Sequence, residues 1–132
     1  MAIERIQPAG VSKPVGYTHV VRARGGSTVY IAGQIAADET GKVVGEGDFG
    51  AQARQVFANL RAALASVGAG FEHVVKTTTY IVNYTPDMRD ALRAARAEGM
   101  GDNAPASTLI GVQALASPAY LIEVEAIAVL DD

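Results

Sequence analysis

The chain has 132 residues, 49% of them hydrophobic and 19% charged, with 14 Gly, 5 Pro and no Cys. That length and balance fit a single folded domain and exclude a disordered or collagen-like chain. The formal net charge of −3 removes any general electrostatic drive toward nucleic acid or anionic membranes. The absent cysteines exclude disulfides, thiol catalysis and thiolate metal sites. The apolar fraction leans on 24 alanines, with no Trp and only 3 Phe, so the expected core is built of small side chains. The start, Met1-Ala2-Ile3-Glu4-Arg5, has no cationic segment followed by an apolar run, and no window reaches 18 apolar residues. The expectation is a cytoplasmic protein without a membrane partner.

In chain order, Thr18–Ala23 and Thr28–Ile35 read as a strand pair. They are joined at Arg24-Gly25-Gly26-Ser27, where glycine supplies the positive φ that a tight hairpin needs. Ala37–Gly47 reads as an exposed loop. Asp48 is placed to cap a helix whose Ala53, Val56, Phe57, Leu60, Leu64 and Val67 recur at the spacing of one buried face. Gln52, Arg54, Gln55, Asn59 and Arg61 fall on its other side, and Gly68 and Gly70 end it. His73–Val82 is rich in β-branched residues and predicts a strand. Thr85-Pro86 opens a second helix with Met88, Ala91, Leu92 and Ala95 as its apolar stripe, ended by Gly99 and Gly101. Strands follow at Ala106–Leu115 and Leu121–Val129. The order β-β-α-β-α-β-β favours an α+β sheet with helices on one face. Such a sheet leaves open edges, which association with other chains would cover.

Few patterns in the sequence carry chemistry. Gly45-Glu46-Gly47-Asp48-Phe49-Gly50 matches a dinucleotide-binding pattern, but lacks the preceding strand and the following acidic residue that give the pattern meaning. His19 and His73 are far apart and have no metal-ligand spacing, so no metal or cofactor is expected. The last strand is more informative. Ile122, Val124, Ala126 and Ala128 line one face, while Glu123 and Glu125 share the other with Leu121, Ile127 and Val129. Two carboxylates among apolar neighbours suit an edge strand charged against aggregation, or a carboxylate in a partly desolvated cleft poised for proton transfer. Spacing alone favours the edge-strand reading.

Five ordered segments resemble the RidA/YjgF family of reactive imine and enamine deaminases. They are Ile31-Ala32-Gly33-Gln34-Ile35, Ala51-Gln52-Ala53-Arg54-Gln55, Val75-Lys76-Thr77-Thr78, Pro105-Ala106 and Ile122-Glu123-Val124-Glu125-Ala126-Ile127-Ala128. The resemblance implies a chorismate-mutase-like α+β fold, a mixed β-sheet packed on two helices. It also implies a homotrimer with small-molecule sites in clefts between subunits. It carries over Glu123 as the catalytic acid/base, Tyr17 as the residue closing the cleft, and Leu109 as a main-chain contact. Ala32, Gly33 and Ser107 complete the expected substrate-binding set.

Ser107 is a departure, because an Arg follows Pro-Ala in the family's active deaminases and grips the substrate carboxylate. Losing one partner of such a desolvated pair costs about 2–5 kcal/mol. The implied activity is therefore hydrolysis of an imine or enamine metabolite other than a standard 2-imino acid, with Ser107 as a neutral donor. A non-catalytic trimeric binding protein is the alternative, and ribonuclease activity ranks behind both. Arg22, Arg89 and Arg93 are candidate replacement cations that nothing in the sequence places.

Overall fold

A computed structural model describes residues 2–131. The elements are β1 (Ala2–Ile6), β2 (Val20–Arg24), β3 (Ser27–Gln34), α1 (Phe49–Ala65), β4 (Val74–Val82), α2 (Arg89–Met100), β5 (Ala106–Val112) and β6 (Ile122–Leu130). Four strands form one sheet in the order β3-β6-β4-β5. β6 runs antiparallel to both β3 and β4, and β4 and β5 are parallel. Parallel strands need a crossover, and α2 supplies it between β4 and β5. α1 makes the equivalent connection between β3 and β4, so both helices lie on the same face of a mixed sheet.

Strand periodicity and helix periodicity meet in the core. Ile122, Val124, Ala126 and Ala128 of β6 are buried against Val56, Leu60 and Leu64 of α1, with Val74 and Ile81 from β4. α2 adds Leu92, Ala95 and Met100. The two helices sit close, because a Cβ at Gly99 would fall 2.7 Å from the Cβ of Phe57. Gly99 is thus a packing residue inside α2, not its stop; Gly101, at φ 62°, ends the helix. Asp48 caps α1 as expected, accepting from the Ala51 amide at 3.1 Å.

Other expectations need correction. Gly25 and Gly26 do adopt positive φ, of 69° and 72°. The strands they join nevertheless separate, β2 pairing with the unforeseen β1 and β3 with β6. Glycine permits a turn but does not choose the ladder; β3 finds a longer apolar partner in β6. Val67 is 44% exposed, lying beyond the end of α1. Residues Phe71–His73 form a short 3-10 turn before β4, and β5 stops at Val112.

Gln52 is the largest reversal: placed on the polar face by periodicity, it is fully buried. Its Nε2 donates to the carbonyls of Gly45 (3.2 Å) and Ala119 (2.8 Å), and its Oε1 accepts from the Leu121 amide (2.9 Å). It is buried because it satisfies the backbone of two loops that the core could not otherwise cover.

Candidate functional site

Two candidate half-sites lie on opposite faces of the main sheet. Register decides this, since directly paired residues point to the same face. Thr77 pairs with Ala126 on one side and Ser107 on the other, so Ser107 faces the helices. Tyr80 pairs with Glu123 and Thr78 with Glu125, placing both carboxylates on the face away from the helices.

On that open face, the β3 ladder breaks between Ile31 and Gln34. Gly33 sits in the break, and Glu123 lies across it. A Cβ at Gly33 would fall 2.0 Å from Glu123 Oε2, 2.7 Å from Cδ and 2.8 Å from Cγ. Only a residue without a side chain admits the carboxylate there. Tyr80 separates the two acids chemically. Its hydroxyl donates to Glu125 Oε1 at 2.7 Å, and this bond, followed by desolvation and the charges of Glu125 and Glu123, raises its pKa above the ordinary phenol value. Glu125 is therefore engaged, whereas Glu123 accepts no hydrogen bond from the described residues and keeps its lone pairs for water or a ligand. Beside them, a concavity of about 530 Å³ is lined by Tyr30, Ala32, Lys76, Thr78 and Glu125, among others.

The second candidate half-site is a cavity of about 220 Å³ between β5 and α2. Tyr17, Ser107 and Leu109 line it together with Thr79, Val15, Leu92 and three arginines, Arg89, Arg93 and Arg96. Tyr17 reaches it because its neighbour Thr18 is pinned to the edge of β5. Thr18 bridges to Ala106, its amide donates to the Pro105 carbonyl at 3.1 Å, and its hydroxyl donates to the Ala104 carbonyl. The Tyr17 ring stands edge-on to His19, with centroids 5.2 Å apart. Ser107 Oγ accepts from Thr77 Oγ1 at 3.3 Å.

The six expected site residues thus divide in one chain into Glu123, Ala32 and Gly33 on the open face, and Tyr17, Ser107 and Leu109 on the helix side. Sequence reasoning missed Tyr80, which reads only as a strand former, and the reason for glycine at 33. It named Arg89 and Arg93 without placing them and omitted Arg96. The spacing 89, 93, 96 was a usable signal, since it lays three cations along one helical stripe. Arg22 is excluded as a replacement cation, being bound bidentately to Glu4 at 3.2 and 2.9 Å on β2.

The histidines have structural roles. His19 Nε2 lies 2.7 Å from the Ser12 carbonyl, and His73 Nδ1 accepts from the Gly70 amide at 3.0 Å. The glycine-rich stretch at 45–50 is a loop that runs through the Asp48 cap into the first residues of α1, with Gly45 and Gly47 both at φ 75°.

The family model described as Endoribonuclease L-PSP matches residues 10–130. The chain belongs to this family, the RidA/YjgF or Rid proteins. It is similar to the RutC family protein slr0709 of Synechocystis sp., 38% identical over 135 residues and 98% of each chain. It is also similar to a 2-iminobutanoate/2-iminopropanoate deaminase of Dermatophagoides farinae, 30% identical over 122 residues and 90% of each chain. Among solved structures, the Rid-family protein YyfB of Yersinia pestis superposes with a TM-score of 0.92 at 41% identity, covering 98% of this chain and 100% of its own. The Rid fold is therefore the mixed sheet on two helices described above. No helix among the described residues is long and apolar enough to cross a membrane.

Proposed function

We propose that this Rid protein hydrolyses the C=N bond of a small imine, or of an enamine through its imine tautomer, in a homotrimer whose sites form between subunits. The observation carrying this reading is the uncommitted Glu123 carboxylate laid over Gly33 beside Tyr80. Glu123 takes a proton from water as the water oxygen attacks the imine carbon, the C=N π pair moves to nitrogen, and Glu123 passes that proton to the nitrogen. The carbinolamine then collapses: Glu123 takes the hydroxyl proton and hands it to the departing amine, the C–N bond breaks, and a carbonyl and ammonia leave. The half-site bearing Tyr17, Ser107 and Leu109 faces the other way in the same chain, so it would meet Glu123 of a neighbour. Ser107 offers a hydroxyl where the active deaminases carry a guanidinium, so recognition at this position is neutral.

The test supplies imines generated in situ, 2-iminobutanoate and 2-aminoacrylate alongside an uncharged analogue, and follows ammonia release. Glu123→Gln is expected to lower turnover by about 10²–10⁴-fold. Release that is absent, or indifferent to Glu123→Gln, would overturn the hydrolase.

The serine at 107 favours a second reading, a trimeric small-molecule binding protein without catalysis. A metabolite that raises Tm, is recovered unchanged and still binds Glu123→Gln would establish it. A ribonuclease stands third, since both histidines are tied to backbone groups and the net charge is −3.

A further inference from the structure

The cavity beneath α2 carries a charge imbalance that the hydrolytic step does not use. Arg89, Arg93 and Arg96 line it and no carboxylate does. None of the three has a carboxylate partner among the described residues. Three like charges on one stripe oppose helix formation, so the arrangement costs stability unless something negative comes to it. Arg96 is the deepest. Its guanidinium lies against the backbone of Gly16, where a Cβ would fall 2.4 Å from Nη2. Gly16 also sits at φ 77°, so the neighbour of Tyr17 is glycine for two reasons. Burial, and then the charge of Arg93, hold the Arg96 pKa below its usual value, the direction expected of a cation lacking its counter-charge.

We infer that this cavity recognises the oxyanion of a ligand, a carboxylate or a phosphate, through Arg93 and Arg96 of α2, with the hydroxyls of Thr79 and Ser107 on the strand wall. The side chain at 107 then no longer selects charge, and selection passes to the helix. Paired guanidinium groups suit a planar or tetrahedral oxyanion, each offering two parallel donors. The assignment deepens the hydrolase reading and rests on it only for the chemistry after binding. The favoured substrate is an imine or enamine that carries an oxyanion.

Calorimetry on the intact protein tests this with three probes: propanoate, inorganic phosphate and the neutral propanamide. Propanoate or phosphate is expected to bind, the tighter one naming the oxyanion class, while propanamide does not. Arg93→Gln and Arg96→Gln are each expected to weaken binding by about tenfold or more. Arg93 is exposed and its loss leaves the fold intact; Arg96→Lys keeps a charge and a stem in place if Arg96→Gln proves unstable, and should bind more weakly than wild type. Arg22→Gln, remote and paired with Glu4, should leave affinity unchanged. Binding by neither anion, equal binding of propanamide, or affinity indifferent to Arg93→Gln overturns the inference. Because Glu123→Gln should abolish turnover while sparing anion binding, failure here is distinguishable from failure of the hydrolase.

Discussion

Gly33→Ala is the sharpest single-atom probe of the open-face half-site. The added Cβ would stand 2.0 Å from Glu123 Oε2, and ordinary contact begins near 3.4 Å. The carboxylate must retreat by the difference, 3.4 − 2.0, or about 1.4 Å. Cδ and Cγ, at 2.7 and 2.8 Å, are also too close, so a small rotation of the terminal torsion does not relieve the clash and the side chain must change rotamer. A displacement of about 1 Å at a catalytic group costs on the order of 10²-fold in rate. The effect on stability is small, because two terms oppose. Removing a strand glycine returns about 0.5–1 kcal/mol of unfolded-state entropy, and an off-rotamer glutamate costs about 0.5–1.5 kcal/mol. The expected result is a kcat lower by roughly 100-fold with Tm within a few degrees of wild type, read from steady-state ammonia release and a thermal melt. Wild-type turnover in a folded Gly33→Ala protein would refute the reasoning, since the carboxylate would then not work from the position it occupies.

Gln52→Leu leaves the Leu121 amide and the carbonyls of Gly45 and Ala119 without their partner. At about 1–3 kcal/mol for each buried group left unpaired, a denaturant titration should show a loss of at least about 2 kcal/mol. Tyr80 should titrate above the ordinary tyrosine value when followed by ultraviolet absorbance, and Glu125→Gln should bring it back down, because the bond to Glu125 is the leading cause of its shift. Asp38 is held below the usual carboxylate value, first by the Thr40 hydroxyl and then by the Lys42 amide. A lowered folded-state pKa contributes stability that is present above the unfolded value of 3.8 and lost as pH falls through the folded one. The protection factors of the Thr40 and Lys42 amides, exchange rates taken relative to the intrinsic rate at each pH, should therefore fall below pH 3.8, and Asp38→Asn should remove that pH dependence.

Where local chemistry and tertiary packing agreed, the sequence was readable. Asp48 before a three-and-four apolar repeat could only cap α1, and the alternation from Ile122 to Ala128 told the buried face of β6 from the face bearing Glu123. The failures share one cause, a long-range partner that a local pattern cannot name. Gly25-Gly26 marked a turn correctly, yet the ladder went to β1 and β6. Gln52 looked solvated because its three backbone partners lie seven, sixty-seven and sixty-nine residues away. At the site, Glu123 was singled out by the resemblance and not by its strand spacing, and the need for glycine at 33 depends on a strand ninety positions on. The arginines of α2 stood at helical spacing and gained meaning only once Ser107 was found on the opposite wall.

The proposed division of the site between the two faces of the sheet bears on genetics as well as on chemistry. If every working site joins the open face of one protomer to the helix side of the next, two individually dead variants can rescue each other. A chain carrying Glu123→Gln and a chain damaged at Tyr17, refolded together, would rebuild intact sites wherever the sound half of one meets the sound half of the other. For random assembly from equal amounts this is roughly one site in four. Defects confined to the same half would not complement, so mixed oligomers sort each site residue by the face it serves.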